Sequence, residues 1–167
     1  MLNNIPDRFW FVLYTHSKCE FKVAESLLEM QIDYFLPTKK VLRKWSDRQK
    51  EIEAPLFPGY IFINAYESER LKSIELKQVA KCLSDFGKPA VVPEWQINML
   101  KKMLIEEKEF EIFEGLIKGK EIEISSGVFA GYKGVVVNLE KKHQLAISIE
   151  LLNRSVILHI DQDWIYK

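Results

Sequence analysis

The sequence predicts an α+β fold in two parts: an N-terminal antiparallel sheet flanked by helices, then a small all-β barrel. Three observations carry this. Residues 9–14 form an unbroken aromatic and apolar run, the pattern of a buried central strand. After about residue 117 the spacing of apolar residues shortens and glycines punctuate it. Between the two patterns, residues 106–116 (EEKEFEIFEGL) hold five Glu against one Lys. That acidic stretch is the natural linker. The expected division is a first domain over 1–105, a linker over 106–116 and a barrel over 117–167.

The elements follow in order. Ser17 is placed to cap a helix, with Glu20 three residues on completing a capping box. Phe21, Ala24, Leu27, Leu28 and Met30 continue near the helical period through Gln31. Tyr34-Phe35-Leu36 opens a second strand that Pro37 restricts. Residues 38–54 are charged and alternate poorly, which predicts an exposed hairpin. Pro55 to Gly59 is a turn leading into the strand Tyr60-Ile61-Phe62-Ile63. Residues 67–77 read as a short helix, 79–83 as a strand and 90–92 as a shorter one. Pro93 suits the first turn of a helix reaching about Glu107, with Ile97, Leu100, Met103 and Leu104 inward. In the last block, 121–124, 135–137, 145–149, 156–158 and 164–166 read as five short strands. Five strands in so few residues favour a closed barrel.

Composition excludes whole classes. The chain has 167 residues, 47% hydrophobic and 29% charged, ordinary for a globular protein. Lys+Arg and Asp+Glu are both 24. A uniformly basic nucleic-acid binder is excluded, whereas a local basic patch is not. The two cysteines, Cys19 and Cys82, lie in no metal-binding spacing, so no metal is expected. Free thiols and the lack of a signal peptide point to a reducing cytoplasm. No apolar run nears the ~20 residues needed to span a bilayer, so no membrane partner is expected. His16, His143 and His159 are dispersed, and Asp161 and Asp163 have no partner ligands in the sequence. With no nucleophile–base constellation, the chain reads as a non-enzyme needing no cofactor. Gly131-Tyr132-Lys133-Gly134 lacks the spacing of a phosphate-binding loop.

Two segments are specific enough to name a family. Pro55-Leu56-Phe57-Pro58-Gly59-Tyr60-Ile61-Phe62-Ile63 resembles the core strand of the NusG N-terminal (NGN) domain. Ile122-x-Ile124-x-x-Gly127-x-Phe129-x-Gly131-x-x-Gly134-x-Val136 looks like a KOW motif. Their order, and the opening aromatic strand ending at Tyr14, match the NusG family from about Arg8 to Tyr166. The Pro-Leu-Phe-Pro-Gly-Tyr run is closer to specialised paralogues of the RfaH, LoaP and UpxY type than to the housekeeping member. The resemblance implies an NGN-type domain followed by an SH3-like KOW barrel. It implies a monomeric bacterial elongation factor that binds the RNA polymerase clamp beside upstream and non-template DNA. Specialised members act as antiterminators on selected operons. The alternatives are a housekeeping elongation factor linked to Rho termination, and a ribosome-associated KOW protein that binds RNA. Zero net charge weighs against the last.

The resemblance also assigns residues. The polymerase-docking surface maps onto Tyr14, Phe57, Tyr60 and Phe86, which could equally be core aromatics. Phe57 precedes a proline in a turn, where an aromatic has fewer reasons to be buried. Nucleic acid would meet His16, Lys18 and Lys22 at the first helix. It would also meet Arg43, Lys44 and Arg48 in residues 39–50, where six Lys/Arg face one Asp beside Trp45. An ordinary solvated hairpin would look the same. Ser26 and Glu29 stand where RfaH has basic or imidazole side chains, so its sequence specificity is not carried over. Nor is the family's His-Thr-Thr contact, since Leu71-Lys72-Ser73 stands there. In the barrel, Phe129, Leu152 and Arg154 match positions that engage ribosomal protein S10 or Rho. Phe129 could instead plug the barrel end. The glycines and the valine run predict strands, not a helical hairpin, in the last block.

Overall fold

A computed structural model describes residues 7–44, 48–106, 110–117, 120–139 and 142–159. The chain divides into two compact units, Met1–Val92 and Pro93–Lys167.

The first unit begins with β1 (Phe9–Thr15) and α1 (Glu20–Glu29), then β2 (Asp33–Phe35). The exposed hairpin forms as expected, from β3 (Thr38–Lys44) and β4 (Gln49–Pro55). Then come β5 (Tyr60–Ala65), α2 (Glu67–Ile74) and β6 (Val79–Cys82). A two-residue-tipped hairpin, β7 (Ser84–Asp85) and β8 (Lys88–Pro89), was not legible in the sequence. It leads to β9 (Val91–Val92). The antiparallel sheet runs β2-β5-β1-β6, with β9 also on β1. β1 is central because both of its edges are paired and both of its faces are apolar. Phe11 and Leu13 pack with Val23, Ala24 and Leu27 of α1 and with Ile61 and Ile63 of β5. Trp10 and Val12 point to the other face and are buried too. An uninterrupted apolar run, rather than an alternating one, is the signature of that position.

The helix period holds only in part. Val23, Ala24 and Leu27 are buried, but Phe21 and Leu28 are exposed. The Ser17–Glu20 capping box does not form: Cys19 takes the N-cap position and no side chain caps the helix. Glu20 is instead drawn to a backbone amide far along the chain, described below.

The second unit opens with α3 (Glu94–Ile105), preceded by Pro93 and buried along Ile97, Met99, Leu100 and Met103. It packs beside the strand later designated β13 (Lys142–Ile149). The division between the two compact units falls at residue 92. The segment expected as a linker carries β10 (Phe110–Glu114). Then follow β11 (Lys120–Glu123), β12 (Lys133–Leu139), β13, a 3-10 turn at Glu150–Leu152 and β14 (Arg154–His159). The sheet is antiparallel, in the order β10-β14-β13-β12-β11. Four strands match the sequence reading. The fifth, expected at 164–166, lies outside the described residues, and β10 supplies the fifth strand seen here. Residues 142–149 are strand, not helix.

Candidate functional site

The turn between β4 and β5 organises the site. Gly59 adopts φ +87°, a backbone conformation glycine tolerates best. A Cβ at this position would lie 3.0 Å from the Tyr14 ring. The turn is tied down on three sides. Gly59 N–H donates to the Glu20 carboxylate at 2.7 Å, its carbonyl accepts from Thr15 N–H at 2.8 Å, and Leu56 N–H donates to the Pro37 carbonyl at 2.7 Å. Glu20 is 5% exposed, so this hydrogen bond satisfies a buried acceptor as well as a buried donor.

The four candidate docking aromatics do not share one environment. Tyr14 and Tyr60 are cross-strand partners with ring centres 5.2 Å apart. Tyr14 is 39% exposed and Tyr60 is half-buried. Phe57 is the correction. It is 2% exposed and sets its ring edge-on to Phe62 at 6.3 Å. The turn folds inward at this residue because β5 offers it an aromatic partner, so local turn context misjudged its burial. Phe86 is the reverse case: it stands 100% exposed at the tip between β7 and β8. Its φ of +45° lies in the left-handed region, as does that of Gly87 at +78°. For a bulky L-residue that conformation costs about 1–2 kcal/mol.

The candidate nucleic-acid residues His16, Lys18, Lys22, Arg43, Lys44 and Arg48 are all exposed. A cleft of about 520 Å³ between the start of α1 and the β3–β4 hairpin gathers Tyr14, Lys18, Phe21, Arg43, Ile52 and Gly59. Lys18 and Arg43 thus share a cleft with Tyr14, one of the candidate docking aromatics, whereas His16, Lys22, Lys44 and Arg48 lie outside its lining. Trp45 falls outside the described residues. The hairpin is also two-sided, which residue counting could not show. Arg43 faces Lys50 across the ladder, and Lys39 stands on the same side. On the opposite side Lys40 pairs with Glu51 at 3.3 Å. Like charges directly opposed destabilise a sheet, so the first side suits an anion. Phe21 was missed as a site residue because its spacing read as core.

Alongside, the α2 segment Leu71-Lys72-Ser73 exposes Leu71 and Lys72 but buries Ser73, whose hydroxyl donates to the Glu69 carbonyl at 2.8 Å. Arg70, also buried, holds Glu67 through Nε at 2.7 Å and through a second guanidinium nitrogen. That hydrogen bond keeps the Glu67 carboxyl below its ordinary range and raises the guanidinium pKa. Burial pushes the neighbouring Cys82 thiol up, against the opposing effect of Arg70.

In the second unit Phe129 is fully buried and Leu152 nearly so. Neither offers a side-chain surface to a barrel partner, which corrects the expectation for both. The KOW-like turn and the 3-10 turn direct them inward. Arg154 stays at the surface, 3.4 Å from Glu114 of β10. Among the described residues no group of His, Cys, Asp and Glu side chains could hold a metal ion. No helix there is long and apolar enough to cross a membrane.

Comparison with known proteins follows the geometry. The family model described as "Transcription termination factor nusG" matches residues 8–101. The transcription termination/antitermination protein NusG of Lactococcus lactis subsp. lactis (strain IL1403) is 26% identical, over 93% of this chain and 90% of that protein. Its namesake from Buchnera aphidicola subsp. Acyrthosiphon pisum (strain APS) is also 26% identical, over 91% and 92%. Among solved structures, one described as domain interaction in Thermotoga maritima NusG covers 92% of this chain and 94% of its own. Its TM-score is 0.50 and its identity 22%, a likeness of fold. The architecture is that of an NGN-type domain followed by a KOW-type one. With a family model spanning more than half of its length, the chain belongs to the NusG family.

Proposed function

We propose that this chain is a transcription elongation factor that docks on RNA polymerase and promotes processive elongation and antitermination on selected operons. One observation carries the reading: Phe86 is wholly exposed in a backbone conformation that a phenylalanine adopts only at a cost. Folding gains nothing from that side chain, and a protein partner would. Buried in a partner's apolar pocket, an aromatic of this kind is a typical binding hot spot. Tyr14 and Tyr60 belong to the same proposed docking surface, whereas Phe57 is buried against Phe62. The polymerase clamp is the proposed partner. Lys18 and Arg43, in the cleft beside Tyr14, attract the phosphates of upstream or non-template DNA. On the KOW-type unit, Arg154 remains for contact with ribosomal protein S10 or Rho.

The test is capture of purified bacterial RNA polymerase by the intact chain beside Phe86→Ala. Capture that falls roughly tenfold or more with Phe86→Ala supports the docking mode. No capture by the intact chain sinks it. The name shared by the relatives favours a second reading, a general factor linked to Rho termination. A Rho-dependent termination assay separates the two: stimulation indicates the general factor, suppression the specialised one.

A further inference from the structure

The acidic segment between α3 and β11 has a role that its composition hid. Its strand β10 lies antiparallel against β14, pairing Phe110 with Leu158, Ile112 with Val156 and Glu114 with Arg154. Beyond β10 the chain stays attached: Gly115 N–H donates to the Asn153 carbonyl at 2.9 Å. The Ser155 hydroxyl donates to the Gly115 carbonyl at 2.8 Å and accepts from Ile117 N–H at 3.1 Å. Yet β10 contributes little to the core. Glu111, Phe113 and Glu114 are exposed, and Phe110 and Ile112 are only half-buried. β14 beneath it is different: Ser155, Val156, Ile157 and Leu158 are all buried. Among the described residues β10 is thus an edge strand, held on β14 by main-chain hydrogen bonds and by Ser155.

We propose that the β14 edge is a strand-docking site and that β10 is its built-in occupant, displaced when a partner protein adds an extended acidic segment in the same place. Open sheet edges recruit strands through main-chain hydrogen bonds, and alternate side chains set the preference. β10 itself shows what the edge accepts. Apolar side chains at the positions of Phe110 and Ile112 lie on the face of Leu158 and Val156. A carboxylate at the position of Glu114 meets Arg154. The partner segment is therefore extended, antiparallel to β14, apolar at alternate positions and acidic. While β10 is seated the edge is closed, so docking requires its release. Edge strands with few buried contacts are the first to open locally. Polymerase docking through the first unit plays no part in this edge.

The ladder makes the test specific. Gly115 bonds Asn153, and in an antiparallel pair such bonded partners alternate. Phe113 with Ser155, and Glu111 with Ile157, are then the bonded partners, while Val156 and Leu158 turn their amides to β13. The experiment is amide hydrogen exchange and peptide titration by NMR on the full-length chain and on Phe113→Pro. That substitution removes a ladder donor and no buried side chain. The expected result is exchange at Ser155 and Ile157 faster by tenfold or more, with Val156 and Leu158 unchanged. A synthetic peptide of residues 110–117 should then bind Phe113→Pro and restore protection, and bind the unmodified chain at least tenfold more weakly. A peptide with lysine at the positions of Glu111 and Glu114 should bind several-fold more weakly than the native one. Loss of protection throughout β12 and β13 would make β10 an integral strand and overturn the proposal. So would a variant that binds no peptide, or binds a scrambled one equally. If Phe113→Pro does not fold, exchange in the unmodified chain decides: β10 amides must open well before those of β13, and simultaneous opening refutes displacement.

Discussion

The Glu20 carboxylate accepts the Gly59 amide hydrogen at 2.7 Å, joining residues 39 positions apart in a buried hydrogen bond. The first turn of α1 is thereby fastened to the turn that presents Tyr14 and Tyr60. Glu20→Ala leaves the Gly59 N–H without its partner, a loss of about 1–3 kcal/mol. Glu20→Gln keeps an acceptor oxygen and should lose less. Urea unfolding of both variants, at unchanged m-value, checks the order.

Gly59→Ala meets two penalties at once. Its φ of +87° is unfavourable for alanine, and the new methyl lies 3.0 Å from the Tyr14 ring. Together these should destabilise the first unit by about 1–3 kcal/mol. The Tyr14 ring should turn away from Tyr60, which ring proton shifts report. Unchanged Tyr14 and Tyr60 resonances would show that the turn does not set the pair.

Ser155 is fully buried and bonds Gly115, Ile117 and Ser148. Ser155→Ala strands a carbonyl and an amide of the segment after β10, at about 2–3 kcal/mol in all. Calorimetric unfolding measures the loss. A change below about 0.5 kcal/mol would mean that water replaces the hydroxyl.

Glu67 titrates low because Arg70 hydrogen-bonds it. A carboxyl depressed in the folded state adds stability above its unfolded pKa, and that stability fades as pH falls through the folded value. The contribution of the pair is therefore present above the ordinary 4.5 and lost below it. Glu67→Gln should flatten this part of the stability profile, and leave neutral-pH stability changed only slightly because the carboxylate is exposed. Chemical unfolding between acid and neutral pH tests it.

Lys18→Ala with Arg43→Ala should weaken binding to a nucleic-acid duplex and lower the salt slope by about 2, near 0.9 for each phosphate that is no longer neutralised. Lys40→Ala, on the hairpin's ion-paired side, should change it less. Fluorescence anisotropy over a salt series separates the two faces. Equal effects would remove the distinction.

Much of the first unit was legible because its signals are local. Residues 9–14 and 60–63 are apolar without interruption, and that pattern has few homes other than a sheet centre. The β3–β4 hairpin announced itself by charge. The misreadings share a cause. Phe21 and Phe57 carry the same ring, yet one is exposed and the other buried, because burial depends on what the rest of the chain places opposite. Glu20 fitted a capping box, but an amide at Gly59 offered a buried partner where a helix end offered a solvated one.

By itself, the sequence determined the α+β class, most of the strands and all three helices, and it carries the family signatures around Gly59 and Gly131. The class, strands and helices follow from periodicity, turn chemistry and composition, which act over a few residues; the signatures are a resemblance of local motifs. Only the tertiary structure decided that the acidic segment is strand β10 and that Arg43 and Lys18 share a cleft with Tyr14. It alone showed that, of Phe57 and Phe86, the first is buried and the second exposed. Each of those outcomes depends on main-chain partners and packing surfaces far along the chain, and neither propensity nor spacing encodes them.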